Sequence, residues 1–350
     1  MTVSILIFIA ILVFIILTHE LGHFTTAKLS GVKVEEFGIG FPPRLLARKW
    51  GETEYSINLI PLGGFVRMAG EEDPSEPRSL AAKSRWVRLL VLSAGSLVNI
   101  LLPILLLIIA FMIPMQVVTG GDVQVYEVVS GSPAEAAGLQ VGDIIVSANG
   151  QPISNFDDLH EVISSNPDFP VAMVLDRGGS EVNVTVIPTT IDGEVRIGVT
   201  LELVNPQYIT ESHPVGEAII LGFTGTWDIL VAIKDGVASL ISGAEPFVLL
   251  GPVGIAQATS EVAQFGAAPV LRWAAIISMS IGILNLLPFP ALDGGRIAFL
   301  LLEVVRRGKR LSPRTEGLIN MIGFALLMVL VMVVSYYDIL RIIHGEGIIP

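Results

Sequence analysis

Cysteine is absent from this chain of 350 residues, which removes disulfides, thiolate metal ligands and a cysteine nucleophile together. Any metal must be held by histidine and carboxylate. Charge is scarce as well: 15% of residues are Asp, Glu, Lys or Arg against 52% hydrophobic, and mean hydropathy is +0.70. That balance excludes an ordinary soluble domain and points to a membrane protein. The formal charge of −12 does not signal a basic partner, because the acidic excess is concentrated between Gly120 and Glu261 while other loops are basic. The lipid bilayer is the expected surrounding, and no nucleic-acid partner is expected.

Apolar runs approaching the roughly 20 residues that cross a hydrocarbon core occur at Val3 to Thr18, Val87 to Ile113, Trp273 to Leu287 and Leu318 to Tyr336. Four membrane helices are therefore expected. The first lacks the basic start and small-residue cleavage site of a signal peptide. Lys and Arg orient the set: ten lie between Lys28 and Arg88, and Arg296, Arg306, Arg307, Lys309, Arg310 and Arg314 join the third and fourth spans. From Pro114 to Val270 there are only Arg177, Arg196 and Lys234. Both basic segments then face the cytoplasm and both termini lie outside. Val215 to Ile241 carries Ile219, Phe223, Trp227, Leu230, Val231 and Val237 at helical spacing, interrupted by Glu217, Asp228, Lys234 and Asp235. An amphipathic surface helix over 214–245 is expected there.

The pattern changes between Val117 and Thr200, where short β-rich runs alternate with Gly, Pro, Asn and Asp. A small α+β domain over 117–200 is expected, inserted between membrane parts at 1–113 and 270–350. Its centre, Gly131 to Leu139 (GSPAEAAGL) followed by Val141-Gly142-Asp143-Ile144-Ile145 and Asn149-Gly150, resembles a PDZ domain of the protease-associated type. The resemblance implies a strand edge able to receive an extended peptide. The competing use of the same domain is a bulky cap that excludes large substrates without binding a peptide.

The chemistry begins where the first span ends, at Thr18-His19-Glu20-Leu21-Gly22-His23, a match to H-E-x-x-H. On a helix, positions i and i+4 share a face, so His19 and His23 can bind one zinc while Glu20 takes a proton from the hydrolytic water. Ionisable groups in membrane helices are expensive and usually functional. A catalytic zinc usually takes three protein ligands, and the candidate third is Asp293, after Asn285-Leu286-Leu287-Pro288-Phe289-Pro290-Ala291-Leu292. The first and third spans run the same way, so His19, His23 and Asp293 reach one leaflet. Pro288 and Pro290 must unwind the helix before Asp293, which requires a polar or protein-lined cavity. Asn285 can donate to a substrate carbonyl or serve as interhelical glue.

HELGH on the first span, Asn285 through the Pro-Phe-Pro-Ala-Leu-Asp-Gly-Gly run on a later one, and a PDZ-like insert between them resemble the site-2 protease family of intramembrane zinc metalloproteases. The resemblance covers nearly the whole chain. It implies a zinc endopeptidase of the bacterial plasma membrane, with its active site near the cytoplasmic side and the PDZ-like domain outside. Phe37 to Pro42 looks like the family's membrane-dipping hairpin, Ile60 to Val66 resembles the strand that pairs with substrate through Gly63 and Gly64, and Gly251 to Ile255 matches a recurrent segment. Substrates implied are membrane-protein segments already cut once, such as anti-sigma factors, or remnant signal peptides. The chain departs from the family at Ser96, where proline is frequent, a change expected not to touch the zinc ligands, and it has one PDZ-like copy where some relatives have two. A metal transporter and a non-enzymatic PDZ-presenting scaffold are the competing readings. Glu20 separates them, because transport needs no general base.

Overall fold

The computed structural model describes residues 2–71, 73–191, 193–242 and 250–344. Residues 243–245 of the expected surface helix and the last six of 270–350 lie outside the described residues. The chain forms two compact units, one of 1–113 with 212–350 and one of 114–211.

In the first unit the order is α1 (Thr2–Leu29), β1 (Val34–Trp50), β2 (Thr53–Met68) and α2 (Arg85–Met112). After the second unit come α5 (Val215–Ser242), α6 (Pro252–Ala263), α7 (Ala267–Leu286), α8 (Asp293–Val305) and α9 (Pro313–Ile343). Nothing interrupts α1 at Thr18; it continues through the HELGH turn as 28 residues, about 42 Å. The helix stops at Gly31, whose φ of +68° suits the left-handed residue after a helix C-terminus, where the Val32 amide closes on Ala27 O at 2.9 Å.

α2 is the axis on which α1 and α7 pack. Gly22 of α1 faces Ala94 O, and Gly282 of α7 faces Ser96 O and Ile100, small residues that let membrane helices approach closely. Ile11 packs with Leu102, Leu106 and Leu107, whereas His23 reaches Val91, so α1 runs antiparallel to α2. The same holds for α7, with Ala274 and Ala275 in the upper cluster and Gly282 against Ser96. Pro103 lies inside α2 and cannot donate to the Asn99 carbonyl four residues back. Ser278 Oγ of α7 donates to that carbonyl at 2.9 Å instead, which is how a proline is accommodated where no water is available.

β1 and β2 form more than the expected hairpin. Residues 34–39 pair on one side with 64–68 and on the other with 54–57, while 44–50 pair with 53–58. Two bent strands therefore make a four-segment sheet. Buried Glu36 binds Ser56, Arg44 and Arg67 across it, and Ala27, Val32, Val34, Met68, Val91, Leu92 and Leu300 form a core that joins the sheet to α1, α2 and α8.

Five helices are long and apolar enough to cross a membrane by length and composition, one more than the sequence expectation. The addition is α5. Its amide end meets α2 where His213 N donates to Phe111 O, and Gly222 then faces Ile104 and Ile108, Gly225 faces Leu107, and Ile229 packs beside Leu102 and Leu106. These contacts run lengthwise along α2. The sequence reading followed the large apolar stripe, but Ile219, Phe223, Trp227 and Leu230 are exposed and the packed face is Ala218 and Gly222. Small residues make the helix contact, and large ones face outward.

The second unit contains β3 (Met115–Val128), α3 (Pro133–Ala136), β4 (Ile144–Ala148), β5 (Gln151–Pro152), α4 (Phe156–Ser164), β6 (Val171–Arg177), β7 (Ser180–Val186), β8 (Thr189–Ile191), β9 (Glu194–Arg196) and β10 (Val199–Glu211). Its main sheet has the order β10-β3-β4-β6-β7 over a core of Val123, Val125, Ile145, Leu159, Met173 and Leu175. The expected boundary at Thr200 cuts β10, which pairs with β3 as far as Glu211 with Met115. Asp143, 1% exposed, receives Arg177 Nε and Nη2 at 2.7 Å each and the Gln140 amide at 2.8 Å. Burial acts to raise its carboxyl, and these donors outweigh it, holding the group below its ordinary value.

Candidate active site

His19 and His23, one turn apart on α1, point at Asp293, the first residue of α8. His19 Nε2 and His23 Nε2 each lie 3.2 Å from Asp293 Oδ2 and 3.2 Å from each other. Both imidazoles are buried. Two zinc bonds of about 2.0–2.1 Å at a tetrahedral angle separate their donor atoms by about 3.3 Å, so this triangle fits zinc without rearrangement. An alternative network of hydrogen bonds fits poorly. His23 Nδ1 lies 2.8 Å from Val91 O, so it carries the proton of the neutral ring, and Nε2 is then a lone pair facing a carboxylate. A cation at the centre of the triangle satisfies all three atoms.

Asp293 reaches this point because the chain unwinds after Leu286. Leu287 adopts an extended ψ of 142°, Ala291 has a φ of +75°, and the Ala291 amide is taken by Asn320 Oδ1 of α9 at 3.2 Å. A Cβ at Gly294 or Gly295 would lie 2.0 Å from Leu287 O or 2.4 Å from Phe289 O, so the two glycines let α8 start directly under the break. The far end of α8 is tied down by Glu303, which binds Arg88 of α2 at 2.6 Å. Arg296, one turn beyond Asp293, pairs with Glu71 at 2.9 Å, and Glu71 also accepts the Met68 amide, joining α8 to the end of β2.

The triangle opens on a cavity of about 370 Å³ lined by His19, Glu20, His23, Gly64, Phe65, Val66, Ala291, Leu292, Asp293 and Arg296. Glu20 and Gly64 meet there: a Cβ on Gly64 would lie 2.9 Å from Glu20 Cγ, so glycine is what lets the strand run past the carboxylate. Residues 64–66 pair with 37–39 on one side and have no strand partner on the other among the described residues. Gly63 adjoins the cavity without lining it. Asn285, at the penultimate position of α7, is half-buried, and the cavity walls form without it.

A family model described as Peptidase family M50 matches residues 7–330. The chain belongs to peptidase family M50. Among similar proteins, a zinc metalloprotease RasP of Geobacillus kaustophilus is 32% identical over 96% of this chain and 97% of its own length. A regulator of sigma-W protease RasP of Bacillus subtilis is 29% identical over 97% and 99%. A solved PDZ domain of an SdrC-like protein from Listeria monocytogenes aligns at 28% identity over 24% of this chain and 92% of its own, with a TM-score of 0.22. This M50 chain is therefore a zinc-dependent peptidase and a multi-pass membrane protein.

What sequence reasoning missed in the M50 site lies on α2. Ser96, expected not to touch the ligands, donates its hydroxyl to Asp293 Oδ2 at 3.1 Å. Asn99 lies 3.4 Å from His19 Nδ1, and both residues are fully buried. Polar side chains within the span were the available signal; the expectation weighed Ser96 only as a missing proline.

Proposed function

We propose that this chain cuts peptide bonds within the membrane, with zinc held by His19, His23 and Asp293 and with Glu20 as general base. The observation that carries this reading is the 3.2 Å triangle of donor atoms opening on one cavity with Glu20 and a strand edge that has no partner among the described residues. Bound zinc supplies a Lewis acid that polarises the scissile carbonyl and acidifies water. Glu20 takes the proton from the attacking water and passes it to the leaving amine. A membrane helix hides its carbonyls in i to i−4 bonds, so the substrate must be drawn out. The edge at Gly63 to Val66 does this by pairing with an extended backbone, and Gly64 keeps that edge within reach of Glu20.

The two basic segments support a site toward the cytoplasmic side of a bacterial plasma membrane, with residues 114–211 outside. Substrates are membrane segments left after a first cut. The sigma-W regulator named among the relatives favours anti-sigma factors over remnant signal peptides. The inserted unit either binds a peptide or excludes large substrates.

The test is cleavage of a single-span substrate, trimmed on its outer side, by purified wild-type and Glu20→Gln protein in detergent, with zinc quantified in both. Loss of cleavage with zinc retained is expected. Equal cleavage by both proteins would remove Glu20 from the mechanism, and no cleavage by zinc-loaded wild type would return weight to the transporter or the scaffold.

A further inference from the structure

α2 contributes no candidate ligand, yet it touches all three. Val91 O takes His23 Nδ1 at 2.8 Å, Ser96 Oγ reaches Asp293 Oδ2 at 3.1 Å, and Asn99 lies against His19 Nδ1 at 3.4 Å. These contacts all come from one stretch of α2, residues 91 to 99. Between them sits Gly95, where a Cβ would come within 2.4 Å of His23 Nε2 and 2.7 Å of His19 Nε2. The helix thus leaves room at the donor atoms and places a hydrogen-bonding group behind each ligand.

Asn99 carries a second observation. Its Nδ2 is the atom beside His19 Nδ1, while its Oδ1 is buried without a hydrogen-bond partner among the described residues, a costly state for an amide carbonyl in an apolar setting. A His19 that binds metal through Nε2 keeps its proton on Nδ1. That proton needs an acceptor, and an amide nitrogen is not one. The two ends of a carboxamide are interchanged by a half-turn and are assigned by the network they serve. Turned so, Asn99 presents Oδ1 to the His19 Nδ1 proton and gives the orphaned oxygen its donor.

We infer that α2 is the template of the metal centre: Asn99 holds His19 in its Nδ1-protonated form through its carbonyl, and Ser96 fixes the carboxylate of Asp293. Both are positioning residues, acting through the ligands and touching neither zinc nor substrate. Val91, through a backbone carbonyl, does the same for His23 and cannot be lost by side-chain substitution. This inference rests on the zinc reading of the triad.

The experiment measures zinc affinity by chelator competition, and the visible spectrum of the cobalt-substituted protein, for full-length wild type, Asn99→Leu, Asn99→Asp, Ser96→Ala and Ser96→Thr. Partners behind a ligand are worth about 10–100-fold in metal affinity, so Asn99→Leu is expected to lose zinc affinity by that amount and to change the cobalt spectrum. Asn99→Asp, which can only accept from Nδ1, stays within about threefold of wild type. Ser96→Ala weakens zinc about tenfold and Ser96→Thr, which keeps the hydroxyl, restores it. Elution and helical circular dichroism of the metal-free proteins report folding; should Asn99→Leu fail to fold, the Asn99→Asp affinity and the Ser96 pair decide the matter. Asn99→Asp weakened as far as Asn99→Leu overturns the tautomer assignment. Unchanged affinity and spectrum in Asn99→Leu and Ser96→Ala, with zinc bound by wild type, overturn this inference alone. Wild-type protein that binds no zinc overturns the reading beneath it.

Discussion

One carboxylate in each unit of the molecule sits among polar partners, and the partners differ in kind. Asp143 in the inserted unit faces a fixed cation: Arg177 grips both its oxygens and the Gln140 amide adds a third bond. Its lone pairs are used, and the result is architecture, tying the loop before β4 to the end of β6. Asp293 in the membrane unit has one conventional donor, Ser96, and otherwise meets two imidazole nitrogens, one of which belongs to a ring already protonated on its other side. A buried carboxylate that meets donors is complete, whereas one that meets other lone pairs is part of a site that a cation completes.

Breaking the membrane carboxylate gives the largest expected effect. Asp293→Ala is expected to abolish cleavage and weaken zinc by more than about 100-fold, since even residues behind a ligand are worth about 10–100-fold. Chelator competition checks this, and Asp143→Ala is expected to leave zinc affinity unchanged. Next comes Glu20→Gln, which should lower the cleavage rate by about 10²–10⁴-fold, the usual worth of a general base, with zinc content intact. Gly64→Ala is smaller: the new methyl presses on Glu20 Cγ, and single-turnover cleavage should fall about tenfold while metal binding stays level.

On the other side of the comparison, Asp143→Asn should cost the inserted unit about 1–3 kcal/mol, read as faster amide exchange in β4 and β6 with no change in exchange around α1. The smallest effect is one of pH. The Asp143 carboxyl is held below its ordinary value in the folded state, so its contribution is fully present above about pH 4 and fades as pH falls through the lowered folded value. Amide protection in β4 and β6 of the wild type, corrected for the intrinsic pH dependence of exchange, should therefore fall on acidification below about pH 4, and Asp143→Asn should flatten that fall.

The grouping of His19, His23 and Asp293 was readable because its signals are local: HELGH lies on one helix turn, and the proline pair before Asp293 announces the break that delivers the carboxylate. The insert's strands were readable from alternation. What escaped depends on pairing between distant segments. Nothing in Val34 to Met68 states that residues 34–39 are flanked on both sides by β2, because strand register is settled by partners and not by one strand's pattern. The α5 contact escaped because its small face, Ala218, Gly222 and Gly225, gives no hydropathy signal, while the louder apolar stripe faces outward. Ser96 and Asn99 were hidden for a related reason: a polar residue in a membrane span announces a partner without naming it.

X-ray absorption at the zinc edge of the purified wild-type protein, beside Asp293→Ala, His23→Ala and Asp143→Ala, tests the central claim most directly. One zinc per chain with imidazole scattering and nitrogen or oxygen ligands at about 2.0–2.1 Å, disrupted by the first two substitutions and untouched by the third, is the predicted result. Zinc bound with the same spectrum in His23→Ala and Asp293→Ala would place the metal elsewhere and contradict the account.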